Sequence, residues 1–339
     1  MKDLIKRLTE TYGPSGNEDL IREQIKKEIK GLANEVKTDV LGNLIAVKKA
    51  KSSKLKASKV MVAAHMDEIG FIVTHIDKQG FLRVSNIGGI YLHNVLAQRV
   101  IFANGTVGTI NEERAETPND AKRMDKLYID IGASTKREAE AKVAVGDVAG
   151  FHRCCTFLGN RAIAKSMDDR IGCAIMIEVM RKLKTSPNEI YFVFTTQEEV
   201  GLRGATTAAF GVSPDLGIAV DITGAFDTPD EKPKLPAVLG GGAAIKVKDA
   251  GLLAHPAVKK LMIETAKANK IPYQLDILEG GTTDGAAIYK TKSGIPTGVI
   301  SVPTRYAHSA SEMVDMVDVK ASVDLLVKLL MLNLQQKGF

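Results

Sequence analysis

Several side chains in this sequence belong to the types that bind metal ions or move protons, and they arrive in a repeated setting. His65 and Asp67 follow the apolar run 60–64, Glu198 and Glu199 follow the run 190–194, and Asp221 follows the run 216–220. His308 comes shortly after a fourth such run, 298–302, and Asp168 and Asp169 open the apolar helical stretch 171–180. Two histidines and several carboxylates can therefore converge on one edge of one sheet. Mixed nitrogen and oxygen donors of this kind suit zinc, cobalt or manganese. The spacing of His65 and Asp67 adds to that, because a ligating imidazole commonly donates its other N–H to a carboxylate that fixes its tautomer and orientation. Of the paired Asp168 and Asp169, one is expected to act as a cap or support and the other as a ligand.

The elements that must position these residues can be read from the apolar pattern. Continuous β-branched and aromatic runs such as 190–194 suit strands covered on both faces, as in a mostly parallel sheet with helices on either side. Such sheets hold ligands at the carboxyl ends of their strands. A helix, the break Gly13-Pro14-Ser15-Gly16 and a second helix precede a hairpin over 36–47 that turns at Leu41-Gly42-Asn43, with Ser15 or Asn17 able to cap the second helix. From Ile69 to about Ala162 short apolar segments alternate with glycine turns, which suits a small β-barrel or sandwich, the barrel being expected here. Since βα patterning lies on both sides, the chain divides into a first catalytic part (1–69), an inserted β-rich domain (70–162) and a second catalytic part (163–339). Later segments read as helix over 252–270, strand over 272–278, a glycine-rich loop 279–286 that can border a pocket, and a closing helix over 317–334. Gly240-Gly241-Gly242 reads as a tight turn or a close backbone approach rather than a phosphate loop.

Composition narrows the class. The 339 residues exceed what one core usually supports, and 45% apolar with 25% charged residues is ordinary for a soluble globular protein. The net charge of +6 is dispersed, and no aromatic-studded basic motif points to nucleic acid. The lysine-rich run 48–59 and the charged loop 112–126 read as solvated loops. No stretch has the length of a membrane span or the apolar core of an export signal, so a cytoplasmic protein is expected. Cys154, Cys155 and Cys173 form no disulfide or metal pattern and read as reduced packing residues. His75, His93 and His152 lack carboxylate partners in sequence and read as surface or packing residues.

The motifs His65-x-Asp67, Ser166-Met167-Asp168-Asp169-Arg170, Gln197-Glu198-Glu199-Val200-Gly201, Asp221, Gly280-Gly281-Thr282-Thr283-Asp284 and Arg305-Tyr306-Ala307-His308-Ser309 stand in an order that resembles the M42 family of dinuclear metallo-aminopeptidases. Some of its members are labelled glutamyl aminopeptidase or endoglucanase. The resemblance runs nearly end to end and implies a zinc-peptidase-like α/β fold. It implies two divalent ions per subunit, Zn2+ or Co2+, with His65, Asp168 and Asp221 on one and Asp168, Glu199 and His308 on the other. Asp168 would bridge and Glu198 would be the catalytic base; Asp67, the carboxylate partner of the ligand His65, is expected to be catalytic with it. It also implies dimerisation through the insert and a hollow dodecamer built from dimers, acting on peptides. The glycine triplet at 240–242 and the doublet Thr282-Thr283 depart slightly from the family pattern and bear on specificity.

That ligand set fits peptide hydrolysis on chemical grounds as well. Two nearby ions acidify water and polarise a carbonyl, and Glu198, outside the ligand shell, can take a proton and return it to the leaving amine. Two other classes compete. A glycosidase could use Glu198 and Asp221 as its acid and base pair, but this leaves His65 and His308 idle, and with no Trp and 5% aromatics sugar platforms are scarce. A non-catalytic metal-binding assembly has no use for Glu198.

Overall fold

The computed structural model describes residues 1–51, 57–113, 124–229 and 237–339. Parts of the two charged loops expected to be solvated, 48–59 and 112–126, fall outside these residues. In chain order, helices α1 (Lys2–Glu10) and α2 (Asp19–Glu28) precede strands β1 (Glu35–Thr38), β2 (Leu44–Lys48) and β3 (Lys59–His65). Strands β4 (Gly70–Ile76), β5 (Leu82–Ile87), β6 (Arg99–Phe102), β7 (Val107–Glu112) and β8 (Leu127–Asp130), helix α3 (Lys136–Glu140) and strand β9 (Val148–Phe151) follow. The chain continues through β10 (Thr156–Leu158), β11 (Arg161–Ala164), α4 (Met167–Lys182), β12 (Glu189–Thr195), α5 (Arg203–Val212), β13 (Leu216–Gly224) and β14 (Ala243–Lys248). It closes with α6 (Pro256–Ala268), β15 (Tyr273–Ile277), α7 (Asp284–Tyr289), β16 (Thr297–Arg305), β17 (Glu312–Asp315) and α8 (Met316–Leu330).

Eleven of these strands form one sheet, ordered β1-β2-β12-β3-β13-β16-β17-β11-β10, with β14 pairing β15 and β16. Its centre, β12-β3-β13-β16, is parallel. Both faces are covered, and the alternation along each strand shows how. On β3, Val60, Val62 and Ala64 face the larger core with α1, α2, α4, α6 and α8, while Met61 and Ala63 face a smaller core with α5 and Ile288 of α7. On β12, Ile190, Phe192 and Phe194 take the first face and Val193 the second. With both faces dry, a strand must be apolar at every position, and this makes the runs continuous.

The strand ends create the crevice. From β3 the chain crosses to β12 on one side and then back to β13 on the other, which is the reversal that opens a pocket at carboxyl ends. The β3–β13 pairing stops at Ala63↔Ala219, whereas β13 runs on beside β16 through Gly224. Asp221 is thus inside its strand, opposite Ser301, rather than at the strand end that its position after an apolar run implied. It lies two residues past the point where pairing with β3 stops.

The insert is a closed barrel, β4-β5-β8-β7-β6-β9, filled by Phe71, Val73, Leu82, Val100, Phe102, Ile110, Ile129 and Phe151. Phe71 and Phe151 pack edge to face at 5.7 Å. Barrel strands end at Phe151, so the expected boundary at 162 is late: β10 and β11 already pair in the large sheet through β17. Apolar strands of similar length on both sides of the junction gave the sequence no mark of the change. Three further expectations shift. Ser15 does not cap α2; Glu18 occupies the cap position and Ser15 donates to Asp67 instead. The helix expected over 252–270 starts only at Pro256, which suits the first helical turn. The last helix, expected over 317–334, starts one residue earlier, at Met316 after the cap Asp315, and is shorter because it ends at Leu330. The glycine triplet is a turn: the N–H groups of Gly240 and Gly242 donate to Asp318, and a Cβ on Gly242 would meet the Pro272 carbonyl at 2.2 Å. Among the described residues no helix is long and apolar enough to cross a membrane.

Phe192, with none of its surface exposed, sits at the middle of the larger core. Phe192→Ala should lower unfolding free energy by about 3–5 kcal/mol, the usual cost of deleting a buried ring, read from the denaturant midpoint.

Candidate metal centre

Strand ends and loops of the catalytic part bring the expected residues into one crevice. His65 closes β3, Glu198 and Glu199 follow β12, and Asp221 lies on β13. His308 follows β16 in the left-handed region at φ 59°, as do Tyr306 at 59° and Gln197, beside the two glutamates, at 53°. Such conformations are strained for residues with a Cβ and persist where the surroundings enforce them. Asp168 and Asp169 carry non-helical dihedrals at the head of α4. Asp169 Oδ1 accepts the N–H of Gly172, and Asp168 Oδ1 lies against His65 Nε2.

The centre of the cluster is Asp168. Its Oδ1 lies 2.8 Å from His65 Nε2 and its Oδ2 lies 3.3 Å from His308 Nε2. One carboxylate thus spans the two histidines. Glu199 Oε2 is 3.5 Å from His308 Nε2, and Glu198 Oε2 is 3.9 Å from His65 Nε2. Donor atoms within 4.8 Å of one another form two overlapping sets, His65–Glu198–Asp221 and His65–Asp168–Glu199. Both differ from the division the resemblance implied: Glu198 stands where Asp168 was expected in the first, and His65 where His308 was expected in the second. Glu198 is close enough to act as a ligand or as a base.

Asp67 is entirely buried below this layer. His65 Nδ1 sits 3.2 Å from its carbonyl oxygen and 3.4 Å from its Oδ1, so the ring's second N–H is shared between the two. The same carboxylate accepts the backbone N–H groups of Glu198 and Glu199 at 3.1 and 3.3 Å and the hydroxyl of Ser15 at 2.6 Å. Asp67 therefore contacts the imidazole and also anchors the backbone of both glutamates.

Electrostatics of the cluster are those of acids buried together. Burial, reinforced by the charge of Asp168, pushes the carboxyls of Glu199 and Asp221 up to about 8. Burial also raises Glu198 well above the usual range, and Asp284, which accepts from Thr195, to about 6. Burial would raise Asp168 too, but hydrogen bonds to His308 and His65 outweigh it and hold the carboxyl below its usual value. Burial pulls His308 down, yet the Asp168 hydrogen bond and the charges of Glu199 and Asp168 lift it to about 10. The buried Glu199 Oε1 has no hydrogen-bond partner. An orphaned carboxylate oxygen beside two imidazoles and a bridging acid is a donor set that fits divalent cations, which would supply both the missing partner and the missing positive charge.

The barrel reaches this site, which its lack of ligands did not foretell. A Cβ on Gly88, itself at φ 75°, would meet Ile69 and Glu199, and one on Gly89 would meet His308 Nδ1 at 2.8 Å. The exposed Tyr91 ring stands 6.3 Å from the His308 ring and 6.0 Å from His93. Glycines at 88 and 89 thus allow a barrel loop to lie against Glu199 and His308. The signal in the sequence was the glycine pair after an apolar strand. Glu312 was also missed; it lies four residues past His308, beyond the motif quoted for that segment. His75 and His93 are exposed and His152 is half-buried; His93 packs beside Tyr91, which in turn faces His308.

The M42 glutamyl aminopeptidase family model matches residues 42–325. The chain belongs to the M42 peptidase family. M42 membership makes it an aminopeptidase, a peptide hydrolase acting at N-termini. A putative aminopeptidase of Acetivibrio thermocellus is 51% identical over 328 residues, 97% of this chain and 98% of that protein. The aminopeptidase APDkam598 of the archaeon Desulfurococcus kamchatkensis is 39% identical, with a TM-score of 0.92 over 97% of this chain and 94% of that one. The TET1 peptidase of Pyrococcus horikoshii, described as assembling into a tetrahedron or a large octahedral shell, is 31% identical, with a TM-score of 0.86 over 97% and 99%.

The raised groups set a pH dependence for metal-free protein. Glu199, Asp221 and His308 all titrate higher when folded than unfolded, so the folded state holds more protons between about pH 5 and 9 and loses stability as pH rises through that window. The melting temperature of the chelated enzyme should fall from pH 6 to pH 9. A rise across that interval would contradict the assignment.

Proposed function

We propose that this M42 aminopeptidase works with two divalent cations, zinc or cobalt, held by His65, Asp168, Asp221, Glu199 and His308. The observation that carries the reading is Asp168 spanning His65 and His308 with its two oxygens. Asp168 would be shared, with His65 and Asp221 on one side and Glu199 and His308 on the other. Cations held there would polarise a scissile carbonyl and acidify water. Glu198 is the base. Its side chain is more open to the crevice than that of Glu199, 10% against 4%, and its backbone is fixed by Asp67. Burial raises its carboxyl, which suits a group that must take a proton from water and keep it until the departing amine collects it. Asp67 and Ser15 hold His65 and the glutamate pair in place. Tyr91, Gly89 and the exposed Tyr306 border the approach to His308 and are positioned to meet the N-terminal residues of a peptide.

The family's peptide chemistry and the idle histidines of a glycosidase scheme favour peptides over sugars. All three cysteines are free, which suits a reducing cytoplasmic setting. Glu198→Gln should abolish release of N-terminal residues from unblocked peptides, with metal content near that of the parent, since the amide cannot accept the proton. His308→Ala should lose metal. Substantial turnover by Glu198→Gln at saturating metal would remove Glu198 as the base, and chelator-resistant cleavage of a cellulose derivative with peptides untouched would reverse the substrate class.

Assembly follows the same reading. The barrel exposes Val107 and Val145, and the catalytic part exposes Phe210, Leu253 and Leu275, apolar surface available to other copies. Dimers through the barrel, closed into a hollow dodecamer, would agree with the shell described for the relative from Pyrococcus horikoshii. Light scattering of metal-loaded protein should give a mass many times 36.5 kDa, with smaller species after chelation. A monomer in both states would rule the assembly out.

A further inference from the structure

Glu312 opens β17 with 2% of its surface exposed, and its two carboxylate oxygens are divided between residues on opposite sides of the cluster. Oε1 accepts the backbone N–H of His308 at 2.7 Å, and Oε2 accepts that of Asp168 at 3.0 Å. Both N–H groups need such a partner. Asp168 sits in a non-helical turn ahead of the regular part of α4, and His308 lies in a left-handed loop past the end of β16. Neither belongs to a strand ladder. Pairing brings the two loops to one place: β17 pairs β11 with Glu312 opposite Ala164, four residues before Asp168, and pairs β16 with Val314 opposite Thr304, four residues before His308.

We infer that Glu312 is a positioning residue for the metal centre, setting the distance between Asp168 and His308 so that one carboxylate can serve both cations. This rests on the proposed ligand set and deepens it. Asp67 does the same for the opposite half, holding the Glu198 and Glu199 N–H groups and His65. A carboxylate suits the task because both of its oxygens accept. In a carboxamide one end becomes an N–H donor facing a backbone N–H, so one of the two loops is released.

The test uses the full chain, stripped of metal and titrated with zinc alone against a competing chelator. Glu312→Gln should weaken zinc binding by about 10–100-fold, the usual effect of removing a group that orients ligands. Its kcat should fall with KM little changed and recover in part with excess zinc. Glu312→Asp, which keeps the charge but is one methylene short of spanning both loops, should fall between Gln and the parent. Val314→Ala, a core truncation in the same strand, controls for loss of stability and should melt lower yet bind zinc as the parent does. Zinc affinity of Glu312→Gln equal to the parent's, an equal loss in Val314→Ala, or failure of both Glu312 variants to fold would each overturn the positioning role. A parent that binds zinc but releases no N-terminal residues would sink the proposed function and leave this inference standing.

Discussion

The constraint on which the rest of the structure depends is the burial of Asp168, Glu198, Glu199 and Asp221 around two histidines. Carboxylates removed from water at such short separations cannot all be ionised without added positive charge, and their raised affinity for protons expresses that cost. A protein that keeps such a cluster must hold the loops against their mutual repulsion. It does so with hydrogen bonds from backbone N–H groups rather than with side-chain cations. Asp67 gathers the loop after β12, and Glu312 ties the loop before α4 to the loop after β16. The sheet supplies the frame: pairing of β3 with β13 stops short of His65 and Asp221, and this opens the crevice in which the acids meet.

The barrel belongs to this arrangement more closely than its place in the chain implies. An insert between β3 and β10 leaves the sheet directly after His65, Asp67 and Glu68, so its first strand starts a few residues from the cluster. Its return also bears on the site. Gly70 and Gly150 lie against Pro14, which joins the barrel base to the loop that carries Ser15 and hence to Asp67. A movement of the barrel relative to the sheet would therefore be felt at Asp67 and at His308. Any contact that displaced the barrel would in this sense act on the order of the carboxylate cluster.

What was legible in the sequence was set by short-range chemistry. Continuous apolar runs revealed the parallel strands because both faces of each are dry, and the acids and histidines beside those runs are the side chains that the fold gathers into one cluster. Asp67 was legible because its relation to His65 spans two residues. What escaped depends on pairing at a distance. Glu312 is one more glutamate before an apolar strand until β11 and β17 are registered, and only then does it lie between Asp168 and His308. Ser15 has the local look of a cap, but its hydroxyl is claimed by Asp67, 52 residues away. The end of the barrel was set eleven residues late because β10 and β11 read as strands whichever sheet they join. Asp221 was placed at a strand end because the apolar run stops there, although the backbone pairing with β16 continues.

The position of the nearby cations explains why the cluster is left open to metal ions. Lys165 and Arg170 flank Asp168 in sequence, both are buried, and either could have neutralised it. Glu68 takes both instead. Lys165 Nζ lies 2.6 Å from its Oε2, and an Arg170 nitrogen lies 3.7 Å from its Oε1, while the Arg170 fork also donates to the carbonyls of Leu8, Thr11 and Gly13. Ser166 adds a further hydrogen bond to Glu68. One carboxylate beneath the site thus absorbs the fixed positive charge, and the groups that lower the acids above it are chiefly His65 and His308. Two imidazoles cannot balance that many acids. A permanent lysine or arginine among the acids would have neutralised them, so by pairing with both, Glu68 leaves the cluster above it with a deficit of positive charge that a cation from solution could fill.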